Sequence, residues 1–210
     1  MLDIREDYHV HTNFNDHSHR DLSVANVVKR AEHLGLKSLA FTEHVRRSSE
    51  YIPQYLEEID KVKSSGTRIK IITGFEAKIL EDGSIDCPED YYENFIIASF
   101  HTTYGNKEKW YHALKTAIEF SRANVIGHLA PEESFDLSDI ELEEVANLLL
   151  KHDRIIELNA KYKRPPLRWL TIFKRKQVRF HLGSDAHNLN DIGNFEQITN
   201  LIAFVKDDLI

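Results

Sequence analysis

Short apolar runs alternate along the chain with segments in which apolar residues return every three or four positions. Each run predicts a buried strand, and the helical spacing that follows predicts an amphipathic helix. In the first helical segment, Ser23 is a predicted N-cap and Gly35 a predicted helix stop. Strands that alternate with helices form parallel sheets, so we predict an α/β fold.

The pattern divides the chain into seven successive units, each beginning with a strand. The predicted strands cover about residues 4–10, 38–41, 69–75, 95–100, 125–126, 155–159 and 178–182. The predicted helices cover about residues 23–34, 53–65, 107–122, 138–152, 166–176 and 195–206. A turn at Asp82-Gly83 and a polar loop follow the third strand. Because no Gly-, Pro- or Ser-rich linker interrupts these units, we expect one domain over residues 1–210.

Residue types that bind metals come at the ends of most predicted strands. They are His9, His11, Glu43, His44, Glu76, His101, His128, Asp185 and His187. Two histidines two positions apart on a strand point to the same face, and imidazole is the commonest metal ligand in proteins. In α/β barrels, functional groups gather at the carboxyl ends of the strands. A closed barrel brings these ends together, whereas the alternative, an open doubly wound sheet, spreads them along a line, so we predict the barrel.

Charge and composition limit the partners and the compartment. The chain of 210 residues has a formal net charge of −7, which gives no global attraction for long nucleic acid or an anionic membrane. The charged N-terminus lacks the apolar core of a signal peptide, and no apolar run approaches the roughly 18 residues of a membrane span. Cys87 is the single cysteine, which excludes an internal disulfide and favours a reducing, cytoplasmic location. Oligomeric state is left open.

Six short motifs together resemble those of the PHP (polymerase and histidinol phosphatase) superfamily. They follow the family's order from residue 7 to residue 187, and Glu157-Leu158-Asn159 adds a similarity to the histidinol-phosphatase branch. The family often has Asp where this chain has Glu43, a position that is not carried over as a ligand. The motifs are Asp7-Tyr8-His9-Val10-His11-Thr12 with His17, Thr42-Glu43-His44, Gly74-Phe75-Glu76, Ser99-Phe100-His101, Ile126-Gly127-His128 and Gly183-Ser184-Asp185-Ala186-His187.

The resemblance implies the PHP fold, a distorted (β/α)7 TIM-like barrel, with a trinuclear metal site. It implies three divalent ions, and histidine-carboxylate ligands suit zinc, iron or manganese. Carried over position by position, the implied ligands are His9, His11, Glu76 and Asp185 for one ion, Glu76, His101 and His128 for a second, and His17, His44 and His187 for the third.

The resemblance also implies hydrolysis of a phosphate ester by a hydroxide held between the ions that Glu76 bridges. The catalytic roles then fall on Glu76, Asp185 and His187. A covalent enzyme intermediate is not expected, since Cys87 has no obvious activating base in its loop. His181 lies within the last predicted strand and is expected to pack rather than to bind metal.

Candidate substrate contacts are basic residues near the predicted mouth of the barrel. Lys161, Lys163 and Arg164 follow the sixth strand, and Arg164 best matches the arginine that contacts phosphate in the histidinol-phosphatase branch. A guanidinium binds two phosphate oxygens at once, which suits that role. Arg46, just after the second motif, and His19 are further candidates. A solvated basic loop is the alternative interpretation of residues 161–164.

We expect a metal-dependent phosphomonoesterase that acts on a small phosphorylated metabolite and releases inorganic phosphate. One alternative is a phosphodiesterase or exonuclease that acts on nucleotides, and another is a non-catalytic metal-binding module. The acidic chain has no basic stripe for a long nucleic acid. The complete set of implied ligands disfavours an inert module. The metabolite is left open, because loops carry specificity in barrels and the loops of this chain look trimmed.

Overall fold

The computed structural model describes residues 2–15, 17–102, 104–131 and 135–207 of the chain. Within these residues the strands are β1 (Glu6–Val10), β2 (Ser38–Val45), β3 (Lys70–Lys78), β4 (Phe95–Ser99), β5 (Val125–Ile126), β6 (Ile155–Asn159) and β7 (Arg179–Gly183). The helices are α1 (Val24–His33), α2 (Ile52–Ser64), α3 (Lys107–Phe120), α4 (Asp139–Lys151), α5 (Leu167–Arg175) and α6 (Thr199–Lys206). Short 3-10 turns at Glu89–Tyr91 and Glu196–Ile198 precede β4 and α6.

The strands lie side by side in chain order, and each neighbouring pair is parallel. The segment after β7 closes the sheet against the end of β1. The Asp185 N–H donates to the His9 carbonyl oxygen at 2.8 Å, and the His11 N–H donates to the Ala186 carbonyl oxygen at 3.2 Å. The predicted seven-stranded barrel is therefore confirmed over the open sheet, and the carboxyl ends of the strands surround one mouth.

Two strands extend further toward this mouth than the apolar runs predicted. β2 continues to Val45 and β3 to Lys78, and their register places His44 opposite Glu76. The main-chain N–H and C=O groups of polar residues form hydrogen bonds as well as those of apolar residues do. The pairing of β2 with β3 therefore continues beyond the end of the apolar run. As a result, several side chains of the site stand on hydrogen-bonded strands rather than on loops.

The helix termini follow the predicted signals in most places. Ser23 Oγ accepts from the Asn26 N–H at 3.3 Å, and Gly35 has the positive φ of 71° that ends α1. Ser138 and Glu141 form a reciprocal capping box at the start of α4. The last helix starts later than predicted, at Thr199, because a 3-10 turn takes up the preceding residues.

Buried apolar side chains fill the layer between the barrel and its helices. Trp110 and Trp169 are both buried, with ring centroids 6.3 Å apart, and the Trp169 indole N–H donates to Asp136 at 2.8 Å. The expected packing role of His181 is also confirmed, since its ring stacks on Tyr8 with centroids 5.3 Å apart. Among the described residues, every helix is too short or too polar to cross a membrane.

Candidate metal centre

Two histidines at the end of β1 form the floor of the site: His9 lies in the strand, and His11 directly follows it. His9 and His11 are both fully buried, and their Nε2 atoms lie 3.1 Å apart. The two-residue period of a strand places both rings on the inner side of the barrel mouth. Two ring nitrogens this close favour a shared proton or a cation between them.

Glu76 lies at the centre of the site. Its side chain is 1% exposed and extends from the end of β3 into a group of imidazoles. Ring nitrogens of five histidines lie within 3.5 Å of its carboxylate: His128 Nε2 at 3.0 Å and His101 Nε2 at 3.2 Å from Oε1, and His44 Nδ1 at 2.9 Å, His9 Nε2 at 3.4 Å and His11 Nε2 at 3.5 Å from Oε2. These nitrogens come from four different strand ends, which only the closed barrel brings together.

The segment after β7 supplies a second carboxylate. Asp185 is 2% exposed, and its Oδ1 lies 3.4 Å from His11 Nε2 and 3.3 Å from His187 Nδ1. Asp185 also has a positive φ of 56°, an uncommon backbone state for a residue other than glycine. Lys161 Nζ lies 3.3 Å from the same Oδ1 and 3.1 Å from His187 Nδ1.

The donor set fits divalent metal ions. Glu76 Oε2 is buried and makes no hydrogen bond of acceptable geometry, although three ring nitrogens surround it. Imidazole nitrogens and carboxylate oxygens in this number are the ligands of zinc, iron and manganese sites. Among the described residues, three groups have ligand atoms within 4.8 Å of one another: His9, His11 and Glu76; His44, Glu76 and His101; and His11, His44 and His187.

A cleft of about 860 Å³ opens directly above these groups. Three cationic side chains line it, from Arg46, Lys78 and Lys161. Its remaining walls include the aromatic rings of Tyr51 and Tyr162. The cleft therefore combines metal ligands at its floor with positive charge and aromatic surface on its sides.

The chain is similar in sequence and fold to known proteins. The sequence profile of the PHP domain matches residues 7–162, which is most of the chain. The chain belongs to the PHP family. The solved structure of a candidate histidinol phosphatase, HisK of Listeria monocytogenes, superimposes with a TM-score of 0.70 at 21% identity, over 90% of this chain and 97% of that one. This likeness supports the PHP fold.

Proteins of similar sequence include probable phosphatases and a DNA polymerase/3'-5' exonuclease. A probable phosphatase of Vibrio parahaemolyticus is 28% identical, with 96% of this chain and 84% of that protein aligned. A probable phosphatase of Caldicellulosiruptor bescii is 29% identical, with 92% of this chain and 84% of that protein aligned. The DNA polymerase/3'-5' exonuclease PolX of Bacillus subtilis is 26% identical over 89% of this chain, which corresponds to 35% of the polymerase.

The electrostatics of the PHP site hold its carboxylates ionised. Burial raises the pKa of Glu76, but the neighbouring imidazoles, chiefly those of His101, His9 and His44, outweigh it and hold that pKa well below the ordinary value. Burial lowers the pKa of His44 to about 4, so this imidazole is neutral. Ionised carboxylates and neutral imidazoles are the states in which these groups bind metal.

Three imidazoles of this site, those of His9, His11 and His128, have pKa values that are raised rather than lowered. Burial opposes a charge on His11, but the hydrogen bonds that its ring donates to Asp185 and Glu43 outweigh it and raise its pKa to about 9. The pKa of His9 is likewise raised well above its ordinary value, since the charges of Glu157 and Glu76 outweigh its burial. The buried carboxylates thus leave an excess of negative charge at the site, which bound divalent ions would compensate.

Several predicted site residues lie away from this cluster. His17 is exposed and lines the cleft, and its ring centroid is 6.4 Å from that of His44, outside the three ligand groups. His19 is exposed and its Nδ1 lies 2.6 Å from Asp21. Lys163 and Arg164 are not among the residues that line the cleft, whereas Lys161 and Arg46 are.

The position of Arg164 has a backbone cause. Its N–H and carbonyl both pair with the main chain of Asn159, which folds the loop after β6 back onto the strand end. Lys161 and Tyr162 form the tip of this fold and face the cleft. The resemblance of the sequence therefore favours Arg164 as the phosphate contact, whereas the structure places Lys161 of the same loop at the cleft.

Two buried carboxylates lie behind the ligands, and the sequence named both, Glu43 and Glu157, within motifs but gave neither a role in the site. Glu43 Oε1 lies 3.4 Å from His11 Nδ1 and accepts from the His44 N–H at 2.9 Å, while its Oε2 accepts from the Thr12 N–H at 2.9 Å. Glu157 Oε1 lies 2.6 Å from His9 Nδ1. The available signal was a charged residue in an apolar strand run, Ile155-Ile156-Glu157-Leu158, which is costly unless the charge is paired.

Proposed function

We propose that this chain is a metal-dependent phosphomonoesterase that hydrolyses a small phosphorylated metabolite and releases inorganic phosphate. The observation that carries the proposal is the carboxylate of Glu76, which lies among five imidazoles at the floor of a cleft lined by Arg46 and Lys161. Family membership and the names of the similar probable phosphatases agree with it.

We assign nine residues as ligands, with Glu76 shared between two ions. When bound, the ions supply Lewis acidity and a water of lowered pKa. The count of three ions and the roles of Glu76, Asp185 and His187 in catalysis belong to the proposal, as does the choice among zinc, iron and manganese. The ligands are His9, His11, His17, His44, Glu76, His101, His128, Asp185 and His187.

The chain's own cations are proposed to hold the phosphate. Lys161 Nζ lies 3.1 Å from His187 Nδ1, so its ammonium reaches the edge of the ligand cluster. Arg46 lines the same cleft. Contacts from these two residues neutralise phosphate oxygens as charge develops in the transition state. We favour them over Lys163, Arg164 and His19, which lie outside the lining of the cleft.

A phosphodiesterase that acts on nucleotides is the second candidate, because PolX of Bacillus subtilis is among the similar proteins. The alignment covers 35% of that polymerase, and the net charge of −7 gives this chain no general attraction for a polyanion. A non-catalytic metal module is the third. The ligand cluster opens into a cleft with anion-binding side chains, which a storage or structural site does not need.

Two chromogenic esters separate the three functions. Metal-reconstituted protein is assayed with p-nitrophenyl phosphate and with bis-p-nitrophenyl phosphate, and Glu76→Gln serves as the control for contaminating phosphatases. We expect hydrolysis of the monoester to exceed that of the diester, with both lost in the control. Faster hydrolysis of the diester supports the second candidate, and no hydrolysis of either ester by metal-loaded protein supports the third.

A further inference from the structure

Glu157 is a buried carboxylate that the proposed reaction does not use. It lies in the middle of β6, it is 0% exposed, and both of its oxygens have partners. Oε1 lies 2.6 Å from His9 Nδ1. Oε2 accepts from the main-chain N–H of His128 at 2.7 Å and from Asn159 Nδ2 at 3.0 Å. A buried charge with this many directed contacts stabilises one arrangement of its neighbours.

Gly183 leaves part of the space that this carboxylate fills. A Cβ built on Gly183 would lie 1.9 Å from Glu157 Oε1, whereas one built on Gly127 would first meet Ser99 Oγ at 2.3 Å and Ile97 Cγ2 at 2.6 Å. Neither glycine has a positive φ, so neither is required by the backbone conformation. Close approach to the Glu157 side chain explains why position 183, within the motif Gly183-Ser184-Asp185-Ala186-His187, is a glycine.

The contact with His9 determines which ring nitrogen is available as a ligand. A carboxylate at Nδ1 holds a proton there and leaves the Nε2 lone pair free. His9 Nε2 is the nitrogen that lies 3.1 Å from His11 Nε2 and 3.4 Å from Glu76 Oε2. Once Nε2 is unprotonated, as ligation of a metal requires, Glu157 therefore presents His9 to the cluster in its ligating tautomer.

The contact with His128 acts through the main chain. His128 has a positive φ of 26°, which is uncommon for a residue other than glycine, and its N–H is held by Glu157 Oε2. In this conformation His128 Nε2 lies 3.0 Å from Glu76 Oε1. One carboxylate thus supports an imidazole on each side of Glu76: His9 at Oε2 and His128 at Oε1.

We propose that Glu157 is a positioning residue that links the two metal positions on either side of Glu76. It fixes the tautomer of His9 and the main-chain conformation of His128, so both positions weaken together when it is altered. The inference rests on the metal centre of the proposed function, but it does not depend on which ester is hydrolysed.

Glu157→Gln tests this with little change of shape. Glutamine has one acceptor oxygen, so it cannot accept from both the His9 Nδ1–H and the His128 N–H, and its NH₂ group opposes one of these donors. Asp7→Asn is the matched control, because Asp7 is equally buried and the groups that donate to it are main-chain N–H groups, of Ser184 at 2.9 Å, Gly193 at 2.8 Å and His9 at 3.3 Å, rather than the ring nitrogen of a ligand.

The readout is metal affinity rather than turnover. Divalent ions are titrated into metal-free protein against a chromophoric chelator, and the visible absorption of Co²⁺-loaded protein reports ligand geometry. We expect Glu157→Gln to weaken binding roughly 10- to 100-fold and to shift the Co²⁺ bands, as losing a ligand's orienting partner does. Asp7→Asn is expected to lower the unfolding midpoint while it leaves affinity within about threefold of wild type.

Equal metal affinity in Glu157→Gln and wild type overturns the proposal, and so does an equal loss in Asp7→Asn. If Glu157→Gln does not fold, nitrogen-15 NMR spectra of zinc-loaded wild type test the proposal by showing which ring nitrogen of His9 carries the proton. A His9 ring protonated at Nδ1 is expected, and one protonated at Nε2 contradicts the assignment. If wild type binds metal but hydrolyses no ester, the proposed function is refuted, but the metal affinities of Glu157→Gln and wild type still test the role of Glu157. Wild type that binds no divalent ion refutes both.

Discussion

Replacing Glu76 with alanine removes the side chain on which the cluster is centred. Its carboxylate belongs to two of the three ligand groups found among the described residues, whereas His9 belongs to one. Alanine leaves the ring nitrogens of five histidines without the anion that they surround. We therefore expect Glu76→Ala to lose more bound metal than His9→Ala loses.

The magnitude follows from the number of groups affected. Loss of a partner that only orients a ligand weakens metal binding roughly 10- to 100-fold, so loss of a direct ligand costs at least the upper end of that range. A hundredfold change corresponds to about 2.7 kcal/mol for each ion. Since Glu76 serves two groups, both ions are expected to be lost at concentrations that keep wild type filled, whereas His9→Ala keeps one of them.

Elemental analysis after gel filtration measures this directly. Wild type, Glu76→Ala and His9→Ala are loaded with the same metal, separated from free ions and analysed for ions per chain, alongside turnover of p-nitrophenyl phosphate. Circular dichroism confirms that each variant is folded. Full metal content and unchanged turnover in Glu76→Ala would refute the bridging role.

Other predictions concern single residues around the site. Lys161→Met should raise KM or slow turnover at unchanged metal content, whereas Arg164→Ala should behave like wild type in steady-state kinetics. If Arg164→Ala is impaired and Lys161→Met is not, Arg164 is the residue that contacts phosphate. Burial raises the pKa of Cys87 to about 12, so iodoacetamide should modify it only after denaturation, as mass spectrometry would show. Burial lowers the pKa of His181 from 6.5 to about 4, so acid destabilises the fold as the pH falls from 6.5 to 4. His181→Phe should recover roughly 2 kcal/mol of that loss in urea unfolding at pH 4.5 relative to pH 7, and His112→Gln, at an exposed position, is the control variant.

The barrel could be predicted because its strands and the polar residues that follow them are each recognisable from short stretches of sequence. Apolar runs mark strands that are buried on both faces, and the polar residue after each run must then lie at the mouth. His9, Glu76 and Asp185 could be assigned to one place on this basis alone. The continuation of β2 to Val45 could not, since main-chain pairing leaves no mark in the side-chain pattern.

Residues that act behind the ligands were beyond this reasoning. Glu157 contacts His9 across 148 positions of sequence, and no periodicity reports such a pair. The basic loop after β6 shows the same limit of local information. The sequence favoured Arg164 by resemblance, but the backbone pairing of Arg164 with Asn159 turns Lys161 toward the cleft. Side-chain direction in a loop depends on tertiary contacts rather than on residue type.

In the proposed function, hydrolysis of a phosphate monoester depends on metal held by the Glu76 cluster. Chelator-treated protein is titrated with Mn²⁺, Zn²⁺ or Fe²⁺, and the rate of phosphate release and the number of ions bound per chain are followed in the same samples. We predict no release without metal, and a rate that rises as the ions fill their positions and then stays constant. Undiminished phosphate release by metal-free protein, or none from any monoester at full metal occupancy, would contradict this metal dependence.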